Sequence, residues 1–273
     1  MKILDMPCTK GFMQIAQDGV DKGWHEMNGG NLSYRLTKDE AANVKKVQKK
    51  ASGDWQEIYE SVPKLAGEFF MVTRTTGYMR NVMRDPVHAF GIVEIDPTGT
   101  KYRIWWGLED GGRPTSEFPS HFLNHSVKAA ETNGEARVIY HAHPTNIIAL
   151  TFVLPLTDSA FSKILWQSMT ECPVVFPKGV GVVEWMIPGG AEIALKTSEL
   201  MKKYDIVVWA HHGLFVMGND FDSAFGLMHT VEKSAEIYIR MLSTGLPMRQ
   251  TIPEDRLADV AEAYGGKLAE DLL

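Results

Sequence analysis

The stretch Arg137-Val-Ile-Tyr-His-Ala-His-Pro-Thr-Asn146 is the part of the chain around which the rest can be interpreted. Its β-branched run predicts a strand that delivers two histidines separated by one residue. Side chains at positions i and i+2 of a strand point to the same face, so His141 and His143 can chelate one metal ion. The alternative is a pair of hydrogen-bonded histidines at the edge of a sheet.

A second pair of histidines follows another apolar run, Ile206-Val-Val-Trp-Ala210. The segment Gly213-Leu-Phe-Val-Met-Gly218 pairs naturally with that run as a hairpin, which puts His212 at or near the bend. Two histidines from one strand end and a remote third are a recurring way to build an open zinc site. The second pair, His211 and His212, therefore favours a metal site over two bonded histidines.

The bulk composition is that of an ordinary globular chain, with 273 residues, 44% hydrophobic and 23% charged. This length can bury a sizeable core. A net charge of −6 gives no basic stripe for nucleic-acid binding. The two cysteines, Cys8 and Cys172, allow at most one bridge, which favours a reducing cytoplasm over secretion. The sequence contains no signal-peptide pattern and no apolar run approaching the roughly 18 residues of a membrane span, so we expect a soluble cytoplasmic protein.

Strand and helix patterns alternate along the chain without a repeat or a Gly/Ser linker, which indicates one α/β domain over residues 1–273. The polar, lysine-rich segment 37–67 is interpreted as a solvated helical excursion or flap. The predicted strands cover 32–36, 69–73, 91–96, 102–106, 181–186, 206–210 and 213–218. The predicted helices cover about 9–24, 145–154, 159–170, 190–203 and 222–241, with a last short helix after 252.

The segment Pro114-Thr-Ser-Glu117 is expected to open another helix, with its Thr or Ser as N-cap and its Glu in the first turn. His121 and His125 follow roughly along one face, so a rival Glu-His-His metal site is conceivable. Packing or hydrogen bonding of the two histidines within a helix interface is the favoured reading. Glu117 can serve as a base only if burial raises its pKa, and spacing alone makes it a capping-turn residue.

Two turns have the composition of oxyanion sites. Asn28-Gly-Gly-Asn31 exposes backbone N–H groups that can cradle a phosphate, although most such turns merely connect elements. Arg74-Thr-Thr-Gly77 places hydroxyl groups and a glycine at a strand end. Arg74 can assist an anion there or can simply be solvated.

Four motifs occur in the order that is typical of the class II (zinc) aldolase/adducin family: Asn28-Gly-Gly-Asn31, Pro114-Thr-Ser-Glu117, His141-Ala-His143 and Ala210-His-His-Gly213. Further matches resemble the family branch that acts on rhamnulose 1-phosphate: Gly23-Trp24, Arg80-Asn81-Val82, Trp106-Gly107, Thr170-Glu-Cys172, Val174-Val-Phe-Pro177 and Val231-Glu-Lys-Ser-Ala235. Each motif is short, but together they span most of the chain.

The resemblance implies a three-layer α/β/α fold around a mixed, largely antiparallel sheet, assembled as a homotetramer with active sites at the subunit interfaces. It implies one zinc ion per subunit on His141, His143 and His212, with His211 a neighbour of the metal. It also implies that Glu117 is the general base, and that Glu171 acts across the interface on the aldehyde oxygen.

The implied reaction is the reversible cleavage of L-rhamnulose 1-phosphate to dihydroxyacetone phosphate and L-lactaldehyde, in rhamnose catabolism. Where the family has a small-residue turn, this chain has Arg74 and Thr76, so backbone access to the phosphate differs there. The implied phosphate-binding residues are Asn28, Asn31, Thr75, Thr115 and Ser116.

Two alternative functions are compatible with the same resemblance. One is an aldolase or epimerase for a related sugar phosphate, such as fuculose 1-phosphate or ribulose 5-phosphate, which would use the same metal chemistry. The other is a non-catalytic, adducin-like binding domain. Such domains lack the metal histidines and the acid, whereas this chain keeps all four residues, which favours an enzyme.

Overall fold

A single mixed sheet forms the centre of the computed structural model, which describes residues 2–58 and 60–273. Its strand order is β2-β5-β4-β3-β1-β6-β9-β8-β7, and neighbouring strands are antiparallel except for the parallel pair β7–β8. The strands are β1 (Asn31–Arg35), β2 (Gln56–Glu57), β3 (Phe69–Thr73), β4 (Phe90–Ile95), β5 (Lys101–Gly107), β6 (Val138–Ala142), β7 (Gly181–Val183), β8 (Ile206–Trp209) and β9 (Gly213–Gly218).

Helices cover both faces of this sheet. They are α1 (Pro7–Asp21), α2 (Lys38–Val47), α3 (Pro86–Ala89), α4 (Phe118–Glu131), α5 (Thr145–Leu150), α6 (Asp158–Ser168), α7 (Cys172–Val175), α8 (Ala191–Met201), α9 (Phe221–Ser243) and α10 (Leu257–Ala263). Short 3₁₀ turns lie at Ile3–Asp5, Pro63–Leu65, Met79–Asn81, Glu254–Arg256 and Glu270–Leu272.

The alternation of side chains along the strands divides the core between the two faces. In β6, Val138 and Tyr140 pack in the cluster that α1, α5, α6 and α9 share, whereas Ile139 packs in the cluster that contains α8. Because side chains in a strand alternate, His141 lies on the same face as Ile139, beneath α4 and α8. The predicted three-layer α/β/α fold with a largely antiparallel sheet is confirmed.

The lysine-rich segment contains α2, which begins with a capping box between Thr37 and Glu40. Val44 is the buried residue of this helix, and its lysines face solvent. The segment therefore includes the solvated helix that its composition predicts. None of the helices within residues 2–58 and 60–273 combines the length and the apolar composition that crossing a membrane requires.

The start of α4 corrects the sequence-based prediction. The helix begins at Phe118, so neither Thr115 nor Ser116 is its N-cap, and Glu117 occupies the N-cap position without a side-chain capping bond. The reason is Pro119 in the first turn. Proline lacks an N–H and is tolerated only where a helix begins, so the helix can extend little further toward the N-terminus.

Candidate metal centre and active site

Three histidines converge where the strands β6 and β8 end and β9 begins. Antiparallel pairing places His141 of β6 opposite Phe215 of β9, and the tight bend between β8 and β9 carries His212. One ligand-capable atom from each of His141, His143 and His212 lies within 4.8 Å of the others. The structure therefore brings together the three histidines that were predicted from the sequence as metal ligands.

The orientation of His141 is fixed by a backbone carbonyl. Its Nδ1 lies 3.1 Å from the carbonyl oxygen of Leu214. Because a carbonyl oxygen can only accept, Nδ1 carries the proton and Nε2 keeps its lone pair. His141 is fully buried, and within residues 2–58 and 60–273 its Nε2 has no hydrogen-bond partner.

His143 repeats this arrangement with a carboxylate. Its Nδ1 lies 2.6 Å from Oε1 of Glu26, so Nδ1–H donates and Nε2 is left as a lone-pair donor. This Nε2 is also buried and unpartnered in the described part of the chain. A carboxylate behind a metal-binding histidine fixes the tautomer and raises the basicity of the ring.

The electrostatics of the cluster favour neutral imidazoles. Burial, together with the neighbouring His143, lowers the pKa of His212 to about 4. Burial also holds the pKa of His141 well below its usual range, with His212 and His143 adding to the effect. Neutral imidazole is the form that binds metals, and three nitrogen ligands with a free position fit a catalytic zinc ion. The donor set therefore fits the implied metal.

Gly213 allows this close approach of strands and rings. A Cβ atom at this position would lie 2.4 Å from the carbonyl oxygen of Ala142, 2.9 Å from Cδ2 of His143 and 3.0 Å from Cε1 of His141. Any larger residue would push the β8–β9 bend away from β6. The glycine of the His-His-Gly motif is thus required by packing.

Glu117 lies beside the candidate metal centre and is 7% exposed. Its Oε2 is 3.6 Å from Nε2 of His141 and accepts a hydrogen bond of 2.8 Å from Nδ2 of Asn31. Burial raises the pKa of Glu117 to about 7, and the hydrogen bond from Asn31 opposes this rise. Glu117 does lie at the start of the helix, as the spacing predicted, but its side chain makes no capping bond and is turned inward toward His141.

His121 and His125 do not form a rival metal site. Both are fully buried, and both contact the hydroxyl oxygen of Ser33, at 2.6 Å from Nδ1 of His121 and 2.8 Å from Nε2 of His125. Nε2 of His121 also bonds Oδ1 of Asn31. The favoured interpretation of two histidines hydrogen-bonded within a helix interface is confirmed.

Two other predicted residues lie outside the cluster of ligands. His211 is exposed, and Thr151 binds it twice, with its Oγ1 3.0 Å from Nδ1 and 3.1 Å from the backbone nitrogen. Its positive φ of 59° forms the bend that precedes His212. Glu171 is exposed at the N-terminus of α7.

The candidate phosphate-binding residues lie in three different environments. Thr75, Thr115 and Ser116 line one cavity of about 410 Å³, together with Arg113. Asn31 is buried against Glu117 and His121. Asn28 is exposed in the turn that the backbone bond from Gly29 to Glu26 closes.

No local pattern in the sequence indicates the three groups that hold these side chains in place. They are the Glu26 carboxylate, the Leu214 carbonyl and the Ser33 hydroxyl. Each lies between 73 and 117 positions from the histidine that it orients. Only the fold brings these partners together, since no local pattern connects residues so far apart.

Comparisons with known proteins agree with this geometry. The profile of the class II aldolase and adducin N-terminal domain matches residues 11–239. The chain is 42% identical to a rhamnulose-1-phosphate aldolase of Pectobacterium atrosepticum, over 96% of this chain and 95% of the relative. It is 43% identical to the enzyme of that name from Mannheimia succiniciproducens, over 94% of each chain. A sugar-phosphate aldolase structure from Thermotoga maritima superposes with a TM-score of 0.73 at 30% identity, covering 88% of this chain and 97% of that one.

These matches cover nearly the whole chain and include the motifs that carry the histidines and the acid. They confirm the resemblance and the predicted class of enzyme. The chain belongs to the class II aldolase and adducin N-terminal domain family, within which it is a carbon–carbon lyase.

Proposed function

We propose that the protein cleaves L-rhamnulose 1-phosphate reversibly to dihydroxyacetone phosphate and L-lactaldehyde, with one zinc ion per subunit, in rhamnose catabolism. The observation that carries this proposal is the convergence of two buried, unpartnered imidazole nitrogens with His212, beside the buried carboxyl group of Glu117. The names of the similar curated proteins support the choice of substrate.

His141, His143 and His212 would hold the zinc ion. When bound, zinc would act as a Lewis acid that stabilises the negative charge left on the ketose fragment after carbon–carbon cleavage. Burial lowers the pKa values of His141 and His212, so no proton competes for their free ring nitrogens at neutral pH.

Glu117 would move the proton at the carbon that becomes the nucleophile in the direction of synthesis. Its pKa of about 7 lets it accept and return a proton without a large energetic penalty in either direction. Its position 3.6 Å from Nε2 of His141 puts it within reach of a substrate held at the open side of the three histidines.

The phosphate group would bind in the cavity lined by Thr75, Thr115 and Ser116, where hydroxyl groups and the start of α4 offer donors. Asn28 would reach it from its exposed turn. Asn31 uses one amide hydrogen on Glu117 and keeps a second for a ligand.

We further propose a homotetramer in which Glu171 of one subunit donates a proton to the aldehyde oxygen formed in another. Glu171 is exposed, as an interfacial role requires. Large apolar side chains are also exposed, including Trp185 at 62% and Ile187 at 74%, and exposed apolar groups of this size are typical of interfaces. Both cysteines are free and buried, which suits a reducing cytoplasm.

Incubation of the purified protein with L-rhamnulose 1-phosphate, with and without a chelator, tests the proposal. We expect release of dihydroxyacetone phosphate that the chelator abolishes and zinc restores. Metal-dependent release from L-fuculose 1-phosphate alone would keep the mechanism and change the substrate. No release from any ketose phosphate would overturn the proposed function.

A further inference from the structure

A continuous line of buried polar side chains runs from Glu117 into the core. Asn31 bonds Glu117 with its amide nitrogen and His121 with its amide oxygen. Nδ1 of His121 bonds the Ser33 hydroxyl, which also bonds Nε2 of His125. Each of the five residues is 7% exposed or less.

The direction of every bond in this line follows from the carboxylate. Ionised Glu117 can only accept, so the Asn31 group facing it is the NH₂ and the group facing His121 is the oxygen. His121 must therefore carry its proton on Nε2, which leaves Nδ1 as an acceptor for the Ser33 hydroxyl. The Ser33 oxygen then accepts from Nε2–H of His125.

The fold places these groups in register. Asn31 and Ser33 are two residues apart on β1, so they point to the same face of the sheet. His121 and His125 are four residues apart on α4, which gives them a common face above β1. Asn31 is the direct partner of His141 across β1 and β6, so the same amide lies next to a proposed zinc ligand.

We propose that Asn31, His121, Ser33 and His125 are positioning residues that hold the Glu117 carboxylate in one orientation for proton transfer. This inference rests on the role that the proposed function gives to Glu117. A flipped Asn31 amide would turn its oxygen toward the carboxylate, where two acceptors repel. His121 prevents the flip because it offers Asn31 a donor and no acceptor. Ser33 and His125 hold His121 in that tautomer.

Kinetics of paired serine variants test the positioning role. Under the proposed function, the zinc-loaded enzyme in D₂O should exchange a carbon-bound proton of dihydroxyacetone phosphate, and proton NMR follows this exchange. We expect Ser33→Ala to lower kcat of this exchange about tenfold to hundredfold, the range expected for a misplaced catalytic group, with little change in KM. Ser33→Thr keeps the hydroxyl and should restore most of the rate.

Ser120→Ala is the matched control. Ser120 is also a buried serine of this region, on α4, but its hydroxyl has no hydrogen-bond partner among the described residues. We expect Ser120→Ala to exchange at the wild-type rate. The proposal would be overturned if Ser33→Ala exchanged at the same rate as Ser120→Ala. It would also be overturned if the loss of rate in Ser33→Ala only followed the fraction of protein that is folded and zinc-loaded.

Nitrogen NMR of the histidine rings in the wild-type enzyme gives a test that needs neither a folded variant nor activity. The proposal requires that His121 and His125 both carry a single proton on Nε2 at pH 7. A His121 ring protonated on Nδ1, or on both nitrogens, would contradict it. If the wild-type protein neither cleaves a ketose phosphate nor exchanges the proton, the proposed function fails, and the tautomers still decide whether the directed line of bonds exists.

Discussion

Two groups of buried or half-buried histidines lie on either side of Phe215, and the hydrogen bonds of the two groups differ. The ring of Phe215 stacks on His141 of the candidate metal centre, with the ring centroids 4.2 Å apart, and packs on His121 of the second group at 5.7 Å. In His141 and His143, Nδ1–H donates to a carbonyl and to a carboxylate, respectively. Nε2 of each ring is therefore left without a partner in the described residues. His121 uses both ring nitrogens on neighbouring side chains.

The comparison teaches that burial alone does not distinguish a ligand from a structural histidine. Burial depresses the pKa of His121 to about 3 and that of His212 to about 4, so both of these rings are neutral at pH 7. The two groups differ in how many ring-nitrogen lone pairs, unpaired with any hydrogen-bond donor, point toward a common space. The second group leaves Nδ1 of His125 without a partner in the described chain, and a single nitrogen does not make a binding site.

The largest effect is expected from removing a proposed ligand. His212→Ala should lose zinc and reduce cleavage to background, because two imidazoles hold the ion weakly. His211→Ala is the matched control, since the adjacent ring is bonded to Thr151 and stands outside the cluster. Zinc content and turnover of the two purified variants check this. Retention of zinc and activity by His212→Ala would remove this residue from the ligand set.

The next effect concerns the acid beside the metal centre. Glu117→Gln keeps the shape and the acceptor for Asn31 but cannot take a proton, so proton exchange on dihydroxyacetone phosphate should fall by about 10²–10⁴-fold. Zinc content should stay at the wild-type level, which separates this variant from the ligand variants. Near-normal exchange would show that another group is the base.

A smaller effect is expected behind His143. Glu26→Ala removes the acceptor for Nδ1–H, and loss of such a partner typically weakens metal binding by about 10–100-fold. We expect the lower end, because this carboxylate is two-thirds exposed and water can replace it. Glu26→Gln keeps an oxygen acceptor and should lose less. Competition for zinc against a chromophoric chelator measures both, and equal affinity in all three proteins would show that Glu26 has no part in zinc binding.

The smallest expected effect is on the stability of the protein in acid, and it comes from His121 of the second group. The folded-state pKa of His121 is depressed to about 3, so the unfolded chain takes up a proton first as the pH falls. The contribution of His121 to the free energy of unfolding is therefore complete above about pH 6.5. It is lost as the pH falls toward 3, at up to about 1.4 kcal/mol per pH unit for one histidine.

Urea unfolding of the chelator-treated protein between pH 6.5 and 5 checks the sign. His121→Asn should flatten the loss of unfolding free energy with falling pH relative to wild type. His88→Asn should not flatten it, because a hydrogen bond to Asp85 raises the pKa of exposed His88 and gives the opposite slope. An unchanged slope in His121→Asn would mean that this ring titrates normally.

Local patterns were sufficient for the parts of the site that strand geometry determines. The spacing of His141 and His143 places both on one face, and the apolar runs around His211 and His212 indicate the bend. The layers of the fold followed from the family resemblance. The start of α4 was misplaced because the hydroxyl residues Thr115 and Ser116 were given more weight than Pro119.

What could not be predicted are the partners that select each histidine's role. Ser33 and His121 are 88 positions apart, and Glu26 and His143 are 117 apart. The inward turn of Glu117 depends likewise on Asn31, which is 86 positions away. Burial and hydrogen-bond partners are properties of the packed fold, so a list of motifs shows which histidines are candidates and leaves open which ones bind a metal.

Anomalous diffraction at the zinc edge from crystals of the zinc-loaded protein tests the central claim most directly. The account predicts one strong peak per chain, about 2.0–2.1 Å from a nitrogen of each of His141, His143 and His212. No peak should appear beside His121 and His125. A peak bonded to either of these two histidines, or the absence of any peak among the first three, would contradict the account.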